Sequence, residues 1–201
     1  MSKSEGMNEA ARIAIAKLAD ADLAARAENL GFSFLDRNTI LIRAFGSELT
    51  VDLRNFEVRT QKTGLAVKPD LKIIILHYLL CENNFSETGQ LITFRDLPGG
   101  QFYLEPYRSR SVNILSSIIK NDIQRLKKNL DRLEWKETSP GDIGAKIHVI
   151  GKINATLVYY VGDEEMPASA DILYDSSIKK VFNTEDVTVI ASLICRSLLQ
   201  I

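Results

Sequence analysis

The sequence has few of the residues from which disulfide frameworks, metal centres and nucleophilic sites are usually built. Its 201 residues include two cysteines and two histidines, which is too few for a cysteine-stapled secreted domain or an organised zinc site. It contains no G-x-S-x-G elbow, Walker loop or dinucleotide-binding fingerprint. Its long apolar runs, such as 73–76, are far too short to cross a bilayer. These absences argue against a disulfide-stapled secreted domain, an organised zinc site and a membrane-spanning protein.

The sequence also lacks a dominant charge. The formal net charge is −1, so no global field attracts the chain to nucleic acid or to anionic lipid. Glu5 and Glu9 precede the alanine-rich part of the N-terminal region, which is atypical of a signal peptide. We therefore expect a cytoplasmic protein with neither nucleic acid nor a membrane as its partner.

What the sequence does have is regular apolar periodicity. Apolar residues at helical spacing predict helices over 8–30, 71–81 and 111–133 and a final helix with Thr184 as its N-cap. The first of these has a break and an N-cap at Asp22, and the third has an interruption at 121–122. Alternating or β-branched runs predict strands at 39–45, 48–53, 56–60, 91–94, 146–150, 154–161 and 171–175. This order predicts an α+β fold, with antiparallel sheet meanders packed against helices on one side. Residues 7–201 are expected to form a single domain after a disordered segment at 1–6.

The segment from Arg95 to Ser116 carries the strongest functional signal. Arg108 and Arg110 fall at the apparent start of the helix near Ser111, where the positive end of the helix dipole disfavours cations. Arginine presents a planar fork that matches carboxylate and phosphate oxygens, and a helix N-terminus adds free N–H groups. The segment therefore predicts an anion-binding site formed by Arg95, Tyr103, Tyr107, Arg108, Arg110 and Ser111.

A second group of charges follows in an acidic loop. Its carboxylates are Asp163, Glu164 and Glu165, and two more, Asp171 and Asp175, follow closely. Crowded carboxylates repel one another unless cations neutralise them, so three interpretations remain open. The loop pairs with the arginines, stays solvated, or holds a divalent metal ion such as magnesium. The spacing does not match a calcium-binding loop.

Two classes of function follow from these residues. The first is a domain that binds an anionic small molecule at the arginines, with the acidic loop nearby. The second is a divalent-metal-dependent enzyme that uses the loop carboxylates. The residues assign no reaction and identify no cofactor, and a protein partner is a further possibility.

Several stretches resemble a known family. They are L-K-I-I-I-L-H-Y-L-L at 71–80, I-T-F-R-D-L-P-G-G at 92–100, Y-R-S-R-S at 107–111 and G-D-E-E-M-P-A-S-A-D-I-L-Y-D at 162–175. The chain resembles the prokaryotic family of domains of unknown function numbered 3786. The resemblance implies a stand-alone cytoplasmic domain, frequent in anaerobes, with some members joined to iron–sulfur-type cysteine modules. It adds a third class, an accessory subunit or scaffold of an anaerobic redox or one-carbon system, but no cysteine cluster is present here and no residue role carries over.

Overall fold

The computed structural model describes residues 3–82 and 84–200. They form two compact units: unit 1 runs to Ser86 and includes 150–152, and unit 2 comprises 87–149 and the residues from 153 onward. The fold class is α+β with antiparallel strands, as the sequence predicts. Within the described ranges, no helix combines the length and the apolar character needed to span a membrane. A single domain over 7–201 stays a prediction.

Unit 1 begins with the helices α1 (Lys3–Leu18) and α2 (Leu23–Leu30). Asp22 ends the break between them, because its side chain accepts a hydrogen bond from the Ala25 N–H at 3.0 Å and so caps α2. Gly31 closes α2 in the left-handed conformation, with φ of 70°. The predicted break and cap are therefore confirmed. Residues 1 and 2 of the segment predicted to be disordered lie outside the described residues, and 3–6 belong to α1.

An antiparallel meander and one helix complete unit 1. They are β1 (Ser33–Asp36), β2 (Thr39–Ala44), β3 (Ser47–Asp52), β4 (Glu57–Thr60) and α3 (Pro69–Leu79). The three predicted strands and the predicted helix are confirmed. The buried side chains of the meander alternate along each strand, at Ile40 and Ile42 in β2 and at Leu49 and Val51 in β3. α3 packs against α1 and α2.

Tyr78 ties α3 to the rest of unit 1. Its buried hydroxyl donates to the Leu30 carbonyl at 2.6 Å and accepts from the Lys152 N–H at 3.0 Å. Burial raises the pKa of Tyr78, so the hydroxyl stays protonated and can donate. The adjacent Gly151 has φ of 54°, and a Cβ there would clash with the Leu30 carbonyl oxygen. Glycine is required at this position by both conformation and space.

Unit 2 contains the remaining elements. They are β5 (Leu91–Ile92), α4 (Leu104–Arg110), α5 (Val112–Ile119), α6 (Ile123–Leu130), β6 (Trp135–Thr138), β7 (Ile143–Ile150), β8 (Ile153–Tyr160), β9 (Ser169–Asp175) and α7 (Thr184–Leu199). The strands pair antiparallel in the order β6-β7-β8-β9-β5. The amphipathic α5 buries Val112, Leu115 and Ile119 and packs against β9 and α7. This packing holds the opposite, polar side of α5 toward the cavity described below.

The structure refines two predictions in unit 2 and shows the environment of one cysteine. The helical pattern over 111–133 forms two helices, and the predicted interruption at 121–122 is real. The N-cap of α7 is Asn183, whose side chain accepts from the Asp186 N–H at 2.8 Å, so the predicted Thr184 cap is off by one residue. Cys195 of α7 is a buried thiol, and burial raises its pKa to about 12. A thiol with so high a pKa is a core side chain at neutral pH, not a nucleophile.

Candidate functional site

The predicted position of the arginines relative to the helices is wrong. Arg108 and Arg110 lie in the last turn of α4, a short helix that precedes α5 and was not predicted. The last turn is where the helix dipole favours a cation, so the dipole does not demand an anion here. α5 begins at Val112 with Ser111 as its N-cap, which agrees with the predicted helix start. Whether these arginines can form an anion site therefore depends on the surface that their side chains line.

Two of the predicted ligand-binding residues belong to the core of unit 2. Tyr107 is fully buried, stacks on Phe94 at a ring-centroid distance of 3.9 Å, and its hydroxyl lies 3.1 Å from that of Tyr174. Ser111 is also fully buried, and its hydroxyl donates to the Tyr107 carbonyl at 2.6 Å. Both hydroxyls are occupied by internal hydrogen bonds, and neither side chain lines the cavity described next.

A cavity of about 790 Å³ opens on the outer side of α5. It is lined by Arg108, Asn113, Ser116, Ser117, Lys120, Asn121, Gly162, Asp163, Met166, Pro167, Ala168, Ser169 and Ala170. Of the six predicted ligand-binding side chains, all within the described residues, Arg108 lines this cavity and the other five do not. Arg95, Tyr103 and Arg110 are exposed side chains outside its lining. Arg108 and the acidic loop do meet at one cavity, through Asp163.

One wall of the cavity is the polar side of α5, which the sequence analysis missed. Asn113, Ser116, Ser117 and Lys120 recur at the spacing of one helix side, opposite the buried Leu115 and its neighbours. Small polar residues at this spacing are typical of any solvated helix surface, so the pattern alone did not mark a site. The distinguishing feature is the loop placed over them, which is distant in sequence.

Asn121 fixes that loop against the end of α5. Its side-chain amide donates to the Gly162 carbonyl at 2.9 Å, and its side-chain oxygen accepts from the Gly162 N–H at 2.8 Å. The loop is closed on itself by the Asp163 N–H, which donates to the Met166 carbonyl at 2.9 Å. The second wall is thus held in place by paired hydrogen bonds to the end of α5.

Charges of both signs face the cavity. Arg108 is half-buried, whereas Lys120 and Asp163 are exposed. Throughout the described part of the chain, none of these three side chains forms an ion pair within 4.0 Å. The Asp163 carboxylate accepts the N–H groups of Met166 and Glu165, at 2.8 and 2.9 Å, and these bonds lower its pKa. The cavity therefore presents two cations and one carboxylate, each with capacity for an external partner.

The family-model comparison identifies the family. A model described as "Domain of unknown function (DUF3786)" matches residues 22–197. The chain belongs to the DUF3786 family. No match was found among curated proteins or among solved structures. The matched range contains α4, α5 and the loop at 162–168, so the whole cavity lies within the DUF3786 domain.

Among the residues that the structure describes, the other carboxylates of this DUF3786 domain do not gather into a metal centre. Asp175 accepts hydrogen bonds from the main-chain N–H groups of Thr88, Gly89 and Ser177, at 2.8 to 3.0 Å. Asp171 is half-buried and accepts from the Ile172 N–H, while Glu164 and Glu165 are exposed. Across residues 3–82 and 84–200, no group of three or more His, Cys, Asp or Glu side chains is arranged to hold a metal ion.

Proposed function

We propose that unit 2 binds a small organic anion in the cavity beside α5. The observation that carries this proposal is that Arg108 and Lys120 line one cavity and, in the described chain, neither is ion-paired. Charged side chains withdrawn from solvent are usually paired, so the half-buried Arg108 is the more telling of the two. Together, Arg108 and the exposed Lys120 supply the charge and the hydrogen-bond donors that a carboxylate or phosphate group needs.

The remaining lining supports a small-molecule ligand. A cavity of about 790 Å³ lies within the roughly 300–1,000 Å³ range of ligand pockets. Met166, Pro167 and Ala168 provide apolar contact surface, and the Asn113 side-chain amide provides a donor and an acceptor. The hydroxyls of Ser116 and Ser117 donate to main-chain carbonyls one turn earlier in α5. They retain lone pairs, and they can rotate to donate to a bound group.

The helix dipoles contribute less at the cavity than the charged side chains do. The negative end of α4 at Arg110 lies beside the positive end of α5 at Val112, and the negative end of α5 lies beside Lys120. Each end carries about half an elementary charge, and the α5 end is partly satisfied because the Tyr159 hydroxyl donates to the Lys120 carbonyl at 2.7 Å. Arg108 and Lys120 each carry a full charge on a side chain that lines the cavity. The local balance therefore favours an anion.

Isothermal titration calorimetry against nucleotides, phosphosugars and organic acids tests the proposal, with matched arginine variants. Arg108→Ala should weaken any binding that is detected by about 10- to 100-fold, the cost of losing hydrogen bonds to a charged group. Arg110→Ala removes the same side chain two residues away on the same helix but outside the cavity, and should change affinity less than twofold. Equal effects of the two variants, or no binding by any probe, would overturn the proposal.

A further inference from the structure

Asp163 shares the cavity with Arg108 and Lys120, yet all three remain without an ion pair in the described chain. A pocket that recognised only an anion would be expected to exclude a carboxylate, since like charges in one cavity repel. Alternatively, such a carboxylate would be neutralised by pairing with an arginine. The cavity does neither, and its two kinds of charge lie on different walls. The cations belong to α4 and to the end of α5, and the carboxylate belongs to the loop at 162–168.

One carboxylate oxygen of Asp163 accepts no hydrogen bond from the described residues. Both of its hydrogen bonds from the Glu165 and Met166 N–H groups go to Oδ1, at 2.9 and 2.8 Å. Within the described residues, Oδ2 accepts no hydrogen bond. The turn that Asp163 stabilises needs only one oxygen, so a neutral asparagine would serve it equally well and a serine would serve it more weakly. The second oxygen and the negative charge are thus left for a group outside the loop.

The position of Asp163 is also fixed before any ligand arrives. Asn121 holds the preceding Gly162 through two hydrogen bonds, and the Asp163 main chain is closed onto Met166. A carboxylate held in this way faces the cavity without the entropic cost of ordering a free loop. Its role is therefore comparable to that of Arg108, with opposite charge.

We infer that the ligand of this cavity is zwitterionic, with an anionic group at Arg108 and Lys120 and an ammonium group at Asp163. The inference rests on the proposed function, since it assigns the second charged group of the same ligand. The ligand class is an amino acid or another small amine that carries a carboxylate or a phosphate. An ammonium group satisfies the spare Asp163 oxygen, whereas a simple anion meets repulsion there, so the complementarity gives selectivity as well as affinity.

Matched probe pairs that differ in one ammonium group test this inference by calorimetry. The pairs are L-aspartate with succinate, L-glutamate with glutarate, and phosphoethanolamine with ethyl phosphate. In at least one pair the amine-bearing member should bind at least tenfold more tightly than its partner. Asp163→Asn should reduce that preference to less than twofold and leave the affinity of the simple anion equal or higher. Asparagine keeps the acceptor oxygen of the turn, and Asp163→Ser provides a second variant should the first fail to fold.

Glu165→Gln is the matched control, because it removes a carboxylate from the same loop that does not line the cavity. It should leave the preference intact. If simple anions bind through Arg108 with no preference for an ammonium group, or if Asp163→Asn leaves a preference unchanged, the zwitterion inference is wrong and the anion-binding proposal stands. If no probe of either kind binds, or if Arg108→Ala has no effect on binding, both are wrong.

Discussion

The main chain at Lys120 allows a prediction that separates stability from binding. Lys120 ends α5 with φ of 51° and ψ of −123°. Glycine adopts this conformation readily, whereas a residue with a Cβ is strained in it. The conformation is held from both sides. The Lys120 N–H donates to the Ser116 carbonyl at 2.8 Å, and the Lys120 carbonyl accepts from the Tyr159 hydroxyl at 2.7 Å. Replacing Lys120 with glycine should therefore stabilise the protein, although it removes a cation from the cavity.

The expected gain in the free energy of unfolding follows from two opposing effects. A non-glycine residue in such a conformation costs about 1–3 kcal/mol, which glycine releases. Glycine also loses more main-chain entropy on folding, which costs about 0.5–1 kcal/mol. The Lys120 side chain is exposed, so its removal loses little packing. The free energy of unfolding should rise by about 1 kcal/mol, which in a protein of this size raises Tm by about 2–4 °C.

Thermal and urea denaturation of Lys120→Gly beside Lys120→Ala measure the effect. Alanine removes the same charge but keeps the Cβ, so it keeps the strain and should give no gain in stability. Both variants should weaken ligand binding to the same extent, because both remove the ammonium group from the cavity. A glycine variant no more stable than the alanine variant would refute the argument that strain is stored at Lys120.

Three further predictions concern residues that stabilise the fold. Gly151→Ala should lower the free energy of unfolding by about 2–4 kcal/mol, because left-handed strain and the main-chain clash add. Gly64→Ala, also at positive φ but with no atom within 4 Å of the added Cβ, should cost only about 1 kcal/mol in the same denaturation assay. Tyr107→Phe should cost about 1–3 kcal/mol by leaving the buried Tyr174 hydroxyl unpaired, while ligand affinity measured by calorimetry stays unchanged. Asp175 is partly desolvated, which raises its pKa, but hydrogen bonds outweigh this and lower the pKa to about 2. Its stabilising contribution is therefore present above about pH 4 and is lost between about pH 4 and pH 2. In Asp175→Asn, the free energy of unfolding should change less with pH across that window. A pH dependence equal to that of the unsubstituted protein would contradict this.

The sequence predicts the elements that carry a buried, periodic pattern and misses those that do not. The strands at Ile40, Ile42, Leu49 and Val51 have alternating buried side chains and were predicted. β1 was missed because all four of its residues are exposed, so it has no alternation to detect. β6 was missed for a similar reason, since three of its four residues are exposed and polar. α4 was missed because Pro106 suggests an interruption, although it lies in the first turn of that helix, where proline is tolerated.

Only part of the candidate site could be predicted from the sequence. Arg108 was selected from an electrostatic argument about a helix start, and that argument fails because Arg108 lies in a last turn. The residue nevertheless lines the cavity and forms no ion pair in the described chain. Lys120, Asn121 and the polar side of α5 could not be identified from the sequence, because they line a cavity whose other wall is a loop that Asn121 binds through Gly162, 41 residues away. Local patterns carry no information on such a contact.

The interruption between α5 and α6 gives that distant contact its structural basis. Three consecutive residues perform three different tasks there. Lys120 turns the main chain through its positive φ and lines the cavity, Asn121 binds Gly162 of the opposite wall, and Asp122 caps α6 by accepting from the Arg125 N–H at 2.9 Å. A continuous helix over 111–133 would bury the same apolar stripe but would direct Asn121 along the helix surface, leaving the loop unattached. The break in the periodicity is therefore the part of the pattern that builds the cavity, and the strain at Lys120 is the energetic cost of placing that break where the second wall can reach it.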